Sequence, residues 1–111
     1  KYRKSAEDVD LYCDGKLLLN FLEQIASLNG TPVVLSPMEY KMLYLFCKHP
    51  KQVLTRRQLL ETLWDVDERY VDEHTLTTTV SRIRRKIEAD GDTYIKTIYG
   101  IGYQWIGGER K

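Results

Sequence analysis

Residues 75–87 read TLTTTVSRIRRKI. Thr75, Thr77, Thr78, Thr79 and Ser81 stand among Arg82, Arg84 and Arg85, with Leu76, Val80, Ile83 and Ile87 threaded between them. Threonine is a mediocre helix former, and a helix chosen for stability alone would carry Ala, Glu or Lys here. What these side chains offer is short-range hydrogen bonding beside fixed positive charge. A guanidinium bonds two acceptors on the edge of guanine or clamps a phosphate; threonine adds a hydroxyl and a methyl that fits the thymine methyl.

On a helix, Leu76, Val80, Ile83 and Ile87 fall within about 60° of one another and make the core face. His74, Thr78, Ser81 and Arg85 then project nearly opposite, with Arg82 beside them. An ordinary solvated face mixes Glu and Lys in i,i+4 pairs. This one carries hydroxyls and cations with almost no acid, and its short residues at 78 and 81 allow close approach to base edges in a major groove. The threonines are read as groove contacts and the face as a DNA-reading one, against the plainer alternative of a solvated basic helix.

The elements that would hold such a helix are legible. In a chain of 111 residues, 42% apolar and 30% charged, one domain with a modest core is expected. The first third reads as strands over 9–13, 16–21, 24–28 and 31–35, with DG at 14–15 and NG at 29–30 as two-residue hairpin turns. SPME at 36–39 is a capping box that opens a helix over 36–49, with Met38, Leu43, Phe46 and Cys47 inward and Pro50 as its stop. TRRQ at 55–58 repeats the pattern and opens a helix over 55–64 with Leu59, Leu60 and Leu63 inward. The helix at issue spans 72–88, with Asp72 as its cap. YIKTIYGIGYQWI, residues 94–106, reads as a hairpin with a glycine-bearing tip. The fold class is thus α+β: a winged helix-turn-helix with an N-terminal four-stranded antiparallel sheet, three helices and a C-terminal hairpin wing.

Net charge is +1, and a nucleic-acid footprint must be sought locally. DVDERYVDE (65–73) holds five acids against Arg69, whereas RIRRK (82–86) holds four bases and no acid, which suggests two surfaces with different partners. Cys13 and Cys47 show no metal-ligand spacing and read as reduced core thiols of a cytosolic protein. Tyr40, Tyr44 and Phe46 are assigned to core, as are Trp64 and Trp105, with Trp64 allowed a second role. No apolar run is long enough to span a membrane, and no signal peptide is visible. The chain opens on Lys rather than Met and is expected to be a fragment.

Taken in order, LSPMEYKMLYLF, VLTRRQLLETLW, VDEHTLTTTVSRIRRKIE and YIKTIYGIGYQW resemble the effector domain of OmpR/PhoB-type bacterial response regulators over residues 35–106, and the preceding strands resemble that family's N-terminal sheet. The resemblance implies a cytoplasmic transcription factor on tandem direct repeats of double-stranded DNA, with RNA polymerase as a partner. It also implies an N-terminal receiver domain absent from this chain, a cognate sensor kinase acting on that receiver, and residues 1–8 as a linker remnant. Carried over position by position, Arg82 reads bases, and Thr77, Thr78 and Ser81 line the groove with Arg85. Trp64, His74, Thr75, Arg84, Thr97 and Tyr103 contact phosphate. In the wing, Tyr99 stands where many relatives carry a minor-groove Arg, and Lys96 offers the nearby charge. Residues 65–71, with Asp65, Asp67, Glu68 and Arg69, correspond to a polymerase-contact loop; 107–111 are a tail. The other class open to this sequence is a winged-helix module for protein–protein contact, which would favour an apolar or mixed-charge third helix. His49 and His74 have no nucleophile or paired acid in a recognisable motif, so catalytic residues, cofactor and metal are all expected to be none.

Overall fold

The computed structural model of the chain describes residues 11–66, 72–89 and 91–109. Along the chain run β1 (Leu11–Cys13), β2 (Leu17–Asn20), β3 (Ile25–Leu28), β4 (Thr31–Pro32), α1 (Pro37–Lys48), β5 (Val53–Thr55), α2 (Arg56–Val66), α3 (Glu73–Ile87), β6 (Thr93–Ile98) and β7 (Gly102–Glu109). β1 to β4 form an antiparallel sheet in chain order, and a second sheet has the order β5-β7-β6. This is the winged helix-turn-helix expected from the sequence, with one more strand.

In the first sheet, strand alternation buries Leu17 and Leu19 against Leu28 and Ala26 across the register and turns Leu11, Leu18 and Ile25 to the other face. NG makes the expected two-residue turn, since Leu28 pairs with Thr31 and both Asn29 (φ 52) and Gly30 (φ 81) are left-handed. DG does not. Cys13 pairs with Leu18, so the connection is longer, and the Asp14 carboxylate closes it by accepting the N–H groups of Lys16 (2.9 Å) and Leu17 (2.8 Å). β4 ends at Pro32 instead of reaching Leu35, because proline has no N–H to continue the ladder. The expected strand start at Val9 and the linker at 1–8 lie outside the described residues.

The helix starts follow their caps. Ser36 Oγ accepts the Glu39 N–H at 3.1 Å while Glu39 Oε1 accepts the Ser36 N–H at 2.9 Å. Thr55 and Gln58 exchange the same pair of bonds at 3.1 and 2.8 Å. His49 ends α1 as its C-cap. The core joins Tyr40, Met42, Leu43, Phe46 and Cys47 of α1 to Leu59 and Leu63 of α2 and to the α3 stripe, while Met38 and Leu60 are partly buried at its edge. Burial pushes the Cys47 thiol up. Cys13 is exposed, because it falls on the outward side of β1. Tyr44, assigned to core, is only half-buried, edge-on to Phe21 at 5.5 Å with the Lys48 ammonium 5.9 Å from its ring. α2 runs to Val66, so Asp65 is helical and not part of a loop.

β5 escapes the sequence pattern: it is three residues long and its last, Thr55, is already the α2 cap. It pairs with β7 through Leu54 and Tyr103 and draws the wing onto the start of α2. The approach is so close that a Cβ on Gly102 would stand 2.0 Å from the Leu54 carbonyl oxygen. β7 also outruns the expected wing end at 106, passing an irregularity in register that Gly107 (φ 74) accommodates, so 107–109 are strand and not tail. Trp105, 2% exposed, is the hub of the second sheet: Tyr12 lies edge-on at 5.3 Å, Tyr94 at 5.4 Å and Phe46 stacks at 6.2 Å. One residue each from β1, β6 and α1 therefore meets at a single indole.

Two measurements follow. Gly102→Ala should destabilise the chain by about 1–3 kcal/mol, the range for forcing extra methylenes into a packed site, read as a lower urea midpoint; an unchanged midpoint would mean β5 yields without cost. The second concerns Asp14. Burial opposes its ionisation, but bonds from the Leu17 and Lys16 N–H groups and from the Tyr12 and Tyr94 hydroxyls hold its carboxyl below the ordinary value. A group depressed in this way stabilises the fold fully above its unfolded value, and that contribution is lost as pH falls through the native value. Urea midpoints should drop on acidification below about pH 5, and Asp14→Asn should flatten that acid limb. Parallel limbs for parent and variant would remove Asp14 from the account.

Candidate nucleic-acid interface

α3 is placed by its stripe: Leu76, Val80 and Ile87 are 1% exposed and Ile83 is fully buried. Its N-terminus is capped by Asp72, whose Oδ1 accepts the Thr75 N–H (2.9 Å) and the Thr75 hydroxyl (3.0 Å). Those bonds hold the Asp72 carboxyl below its usual range. With the stripe buried, His74, Thr77, Ser81, Arg82 and Arg85 are exposed and Thr78 is half-buried beside them. The groove-reading residues expected from periodicity thus share one solvent face.

The threonines divide by job. Thr79 is 3% exposed; its hydroxyl donates to the Thr75 carbonyl at 2.8 Å and lies 3.7 Å from Met38 Sδ, so it is no groove contact. Thr75 is tied to the cap. Thr77 and Thr78 remain available to a ligand.

The bases divide in the same way. Lys86 turns away from the exposed face and pairs with Glu39 at 2.7 Å, where Glu39 is 3% exposed and already serves the α1 capping box. One pair thereby ties α3 to the start of α1, and removal of Lys86 would leave the buried Glu39 carboxylate with its capping bond from Ser36. Arg84, expected on phosphate, spends one guanidinium nitrogen within the fold: Nη2 donates to the Ile95 carbonyl (2.8 Å) and the Thr97 hydroxyl (2.7 Å), with the Tyr103 ring 5.7 Å away. Three residues expected on phosphate, Arg84, Thr97 and Tyr103, are therefore one cluster that pins β6 to α3, with Tyr103 7% exposed. Sequence reasoning passed over the clamp below it, where Glu88 Oε2 accepts the N–H groups of Tyr94 (2.9 Å) and Ile95 (3.0 Å). The one available clue is an acid just past the helix end, seven residues or fewer from both donors.

Elsewhere, Lys96 is exposed on β6, and Tyr99 (90% exposed) with Ile101 (51%) forms the wing tip. That tip is rigidly seated: the Ile101 N–H donates to the Ile98 carbonyl at 3.0 Å, and the Ile101 carbonyl accepts the Arg56 N–H at 3.1 Å. Trp64 is 47% exposed on α2, so it is not core as a whole. Asp67, Glu68 and Arg69 lie outside the described residues. A groove of about 300 Å³ lined by Leu45, His49, Gln52, Leu54, Gln58, Glu61 and Thr62 takes no residue from α3 or the hairpin. Among the described residues no His/Cys/Asp/Glu group is arranged to hold a metal ion, and no helix is long and apolar enough to cross a membrane.

A family of transcriptional regulatory proteins, in its C-terminal part, matches residues 30–105. The transcriptional regulatory protein YclJ of Bacillus subtilis is 33% identical over 103 residues, which are 92% of this chain and 45% of YclJ. The response regulator DrrB of Thermotoga maritima, an OmpR/PhoB homologue, superposes with TM-score 0.77 at 34% identity over 88% of this chain and 45% of its own. The DNA-binding domain of Klebsiella pneumoniae RstA, solved in complex with the RstA box, superposes with TM-score 0.71 at 26% identity over 89% of this chain and 99% of its own. The chain spans less than half the length of YclJ and of DrrB. The chain belongs to the C-terminal family of transcriptional regulatory proteins, as a winged-helix DNA-binding domain of the OmpR/PhoB response-regulator type.

Proposed function

We propose that α3 enters the major groove of double-stranded DNA and that the hairpin contacts the flanking backbone, as the effector domain of a two-component response regulator. The observation that carries this is the exposed face of α3, which displays Arg82, Arg85, Ser81 and Thr77 with no carboxylate among them, while of the acids nearby Asp72 is a cap, Glu39 a buried pair with Lys86, and Glu73 is paired with Arg56 at the first turn. In this reading Arg82 takes a base edge, with Thr77, Thr78, Ser81 and Arg85 lining the groove. His74, Trp64 and Lys96 meet phosphate. Arg84 acts on phosphate with the nitrogens that the wing leaves unused, and Thr75, Thr97 and Tyr103 support that contact by orientation. A protein-docking α3 is the weaker alternative, because such a face would be expected to carry apolar or mixed-charge contacts.

The full-length protein is proposed to act in the cytoplasm, with a receiver domain answering to a sensor kinase. The acidic stretch at 65–69 is proposed to face RNA polymerase, since it would be repelled by a phosphate backbone. The family is one of regulators and not of enzymes.

The test is selection of bound sequences from a random duplex pool, followed by affinity against log salt, where each phosphate contact adds roughly 0.9 to the slope. A flat response would favour the protein-docking alternative. On the selected site, Arg82→Ala should relax base preference at one position by about 1–3 kcal/mol of discrimination. A uniform loss on cognate and random duplexes alike would take Arg82 off the base edge. Two copies are expected head to tail on direct repeats roughly 10–10.5 bp apart, which sets both recognition helices on one side of the duplex. Inserting about half a turn should abolish any cooperativity between the two sites; a palindromic selected site would show the opposite arrangement.

A further inference from the structure

The wing is held at its base by three groups, and one of them belongs neither to α3 nor to its C-cap. Between Tyr94 and Thr97, Glu88 takes two backbone N–H groups and Arg84 takes a carbonyl and a hydroxyl. The third comes from the far end of the chain: Asp14 Oδ2 accepts the Tyr94 hydroxyl at 3.0 Å and the Tyr12 hydroxyl at 2.8 Å. Two residues on, Lys16 makes an ion pair with Asp92, whose side chain is 5% exposed and sits directly before β6. The Lys16 carbonyl in turn accepts the Asn29 N–H at 2.7 Å, so the tip of the β1–β2 hairpin is fastened to the β3–β4 turn of its own sheet as well.

We infer that residues 14–16 are a positioning element for the wing, through which the placement of the N-terminal sheet governs how β6 and the tip meet DNA. This rests on the DNA-binding reading above. Asp14 uses both oxygens: Oδ1 is committed to the turn of its own hairpin and Oδ2 to the two tyrosines. The carboxylate cannot shift without loosening either the turn or the strand. Burial, and then the Asp14 carboxylate beside it, push the Tyr12 hydroxyl up, so it remains a donor at neutral pH. With the Tyr94 ring packed against Trp105, a displacement of the hairpin tip is transmitted to β6 and to Lys96, Thr97 and Tyr99 along a strand only a few residues long.

Tyr94→Phe removes the strut hydroxyl and leaves the ring; Tyr12→Phe removes a hydroxyl from the same carboxylate and leaves the strut. Both are to be compared with the parent chain by urea midpoint, hydrogen exchange at the amides of residues 96–99, and affinity for the selected duplex against salt. Tyr94→Phe is expected to speed exchange in the wing, weaken binding roughly 3–10-fold and lower the salt slope by about 1, one phosphate contact. Base preference at the Arg82 position should be kept. Tyr12→Phe should match the parent in wing exchange and salt slope. Asp14→Asn is the second variant: it removes the charge and sets an NH2 either on the two hydroxyls or on the two backbone N–H groups, so it should speed wing exchange at least as much as Tyr94→Phe. If the parent binds DNA and Tyr94→Phe and Tyr12→Phe behave alike, the positioning role is wrong while the DNA reading stands. A parent chain that binds no duplex would sink both.

Discussion

The rotation of α3 about its own axis is the constraint on which the rest of this molecule depends. Leu76, Val80, Ile83 and Ile87 form a stripe too narrow to be buried in more than one orientation, and burying it decides what every other residue of the helix faces. Turned by one residue, the helix would send Thr77 inward and expose Ile83. The capping bonds at Asp72 and the Lys86–Glu39 pair act on the same degree of freedom from its two ends. The surface offered to a ligand is therefore a by-product of core packing, and its composition is what selection could still vary.

Much of the charge in the helix is spent inside the fold. Of the four bases in residues 82–86, Lys86 holds α1 and Arg84 holds β6, which leaves Arg82 and Arg85 fully displayed. That division explains how a domain with a formal charge of +1 can still present a cationic face, because the balancing acids are consumed at caps and clamps such as Asp14, Glu39, Asp72 and Glu88. Charge-assisted bonds from a carboxylate to backbone N–H groups are strong and directional, so each of these acids also fixes an angle between two elements.

Periodicity and capping chemistry made the helices legible, because both are local: Ser36 with Glu39 and Thr55 with Gln58 lie three residues apart and meet wherever the helix goes. What the pattern could not show are contacts that depend on a distant partner. Thr79 lies roughly 60° and Lys86 roughly 80° from the direction of Leu76, both on one flank of the stripe, where a helical wheel cannot tell rim from solvent. Met38 and Glu39 decide it, some forty residues earlier. The same holds for β5, whose pairing with β7 brings the Leu54 carbonyl to within 2.0 Å of where a Cβ on Gly102 would stand. Cys13 and Tyr44 read as core in the sequence yet sit exposed and half-buried, because apolar neighbours do not reveal which side of a strand or helix edge faces out.

The helix and the wing differ in how they are held, and this gives the two contacts different mechanical characters. α3 is fixed by close-packed aliphatics, an environment that resists small displacements from all sides. The base of β6, where Tyr94 and Ile95 are packed in the core, carries in addition discrete hydrogen bonds with Glu88, Arg84 and Asp14, each lost on a small shift of either partner. A base-reading element must keep one orientation to discriminate, whereas a phosphate-contacting element can move by a fraction of an ångström and change affinity without changing sequence preference. The fold therefore places its rigid support under the residues that would read sequence, and its adjustable support, one strut of which comes from the N-terminal sheet, under those that would set strength.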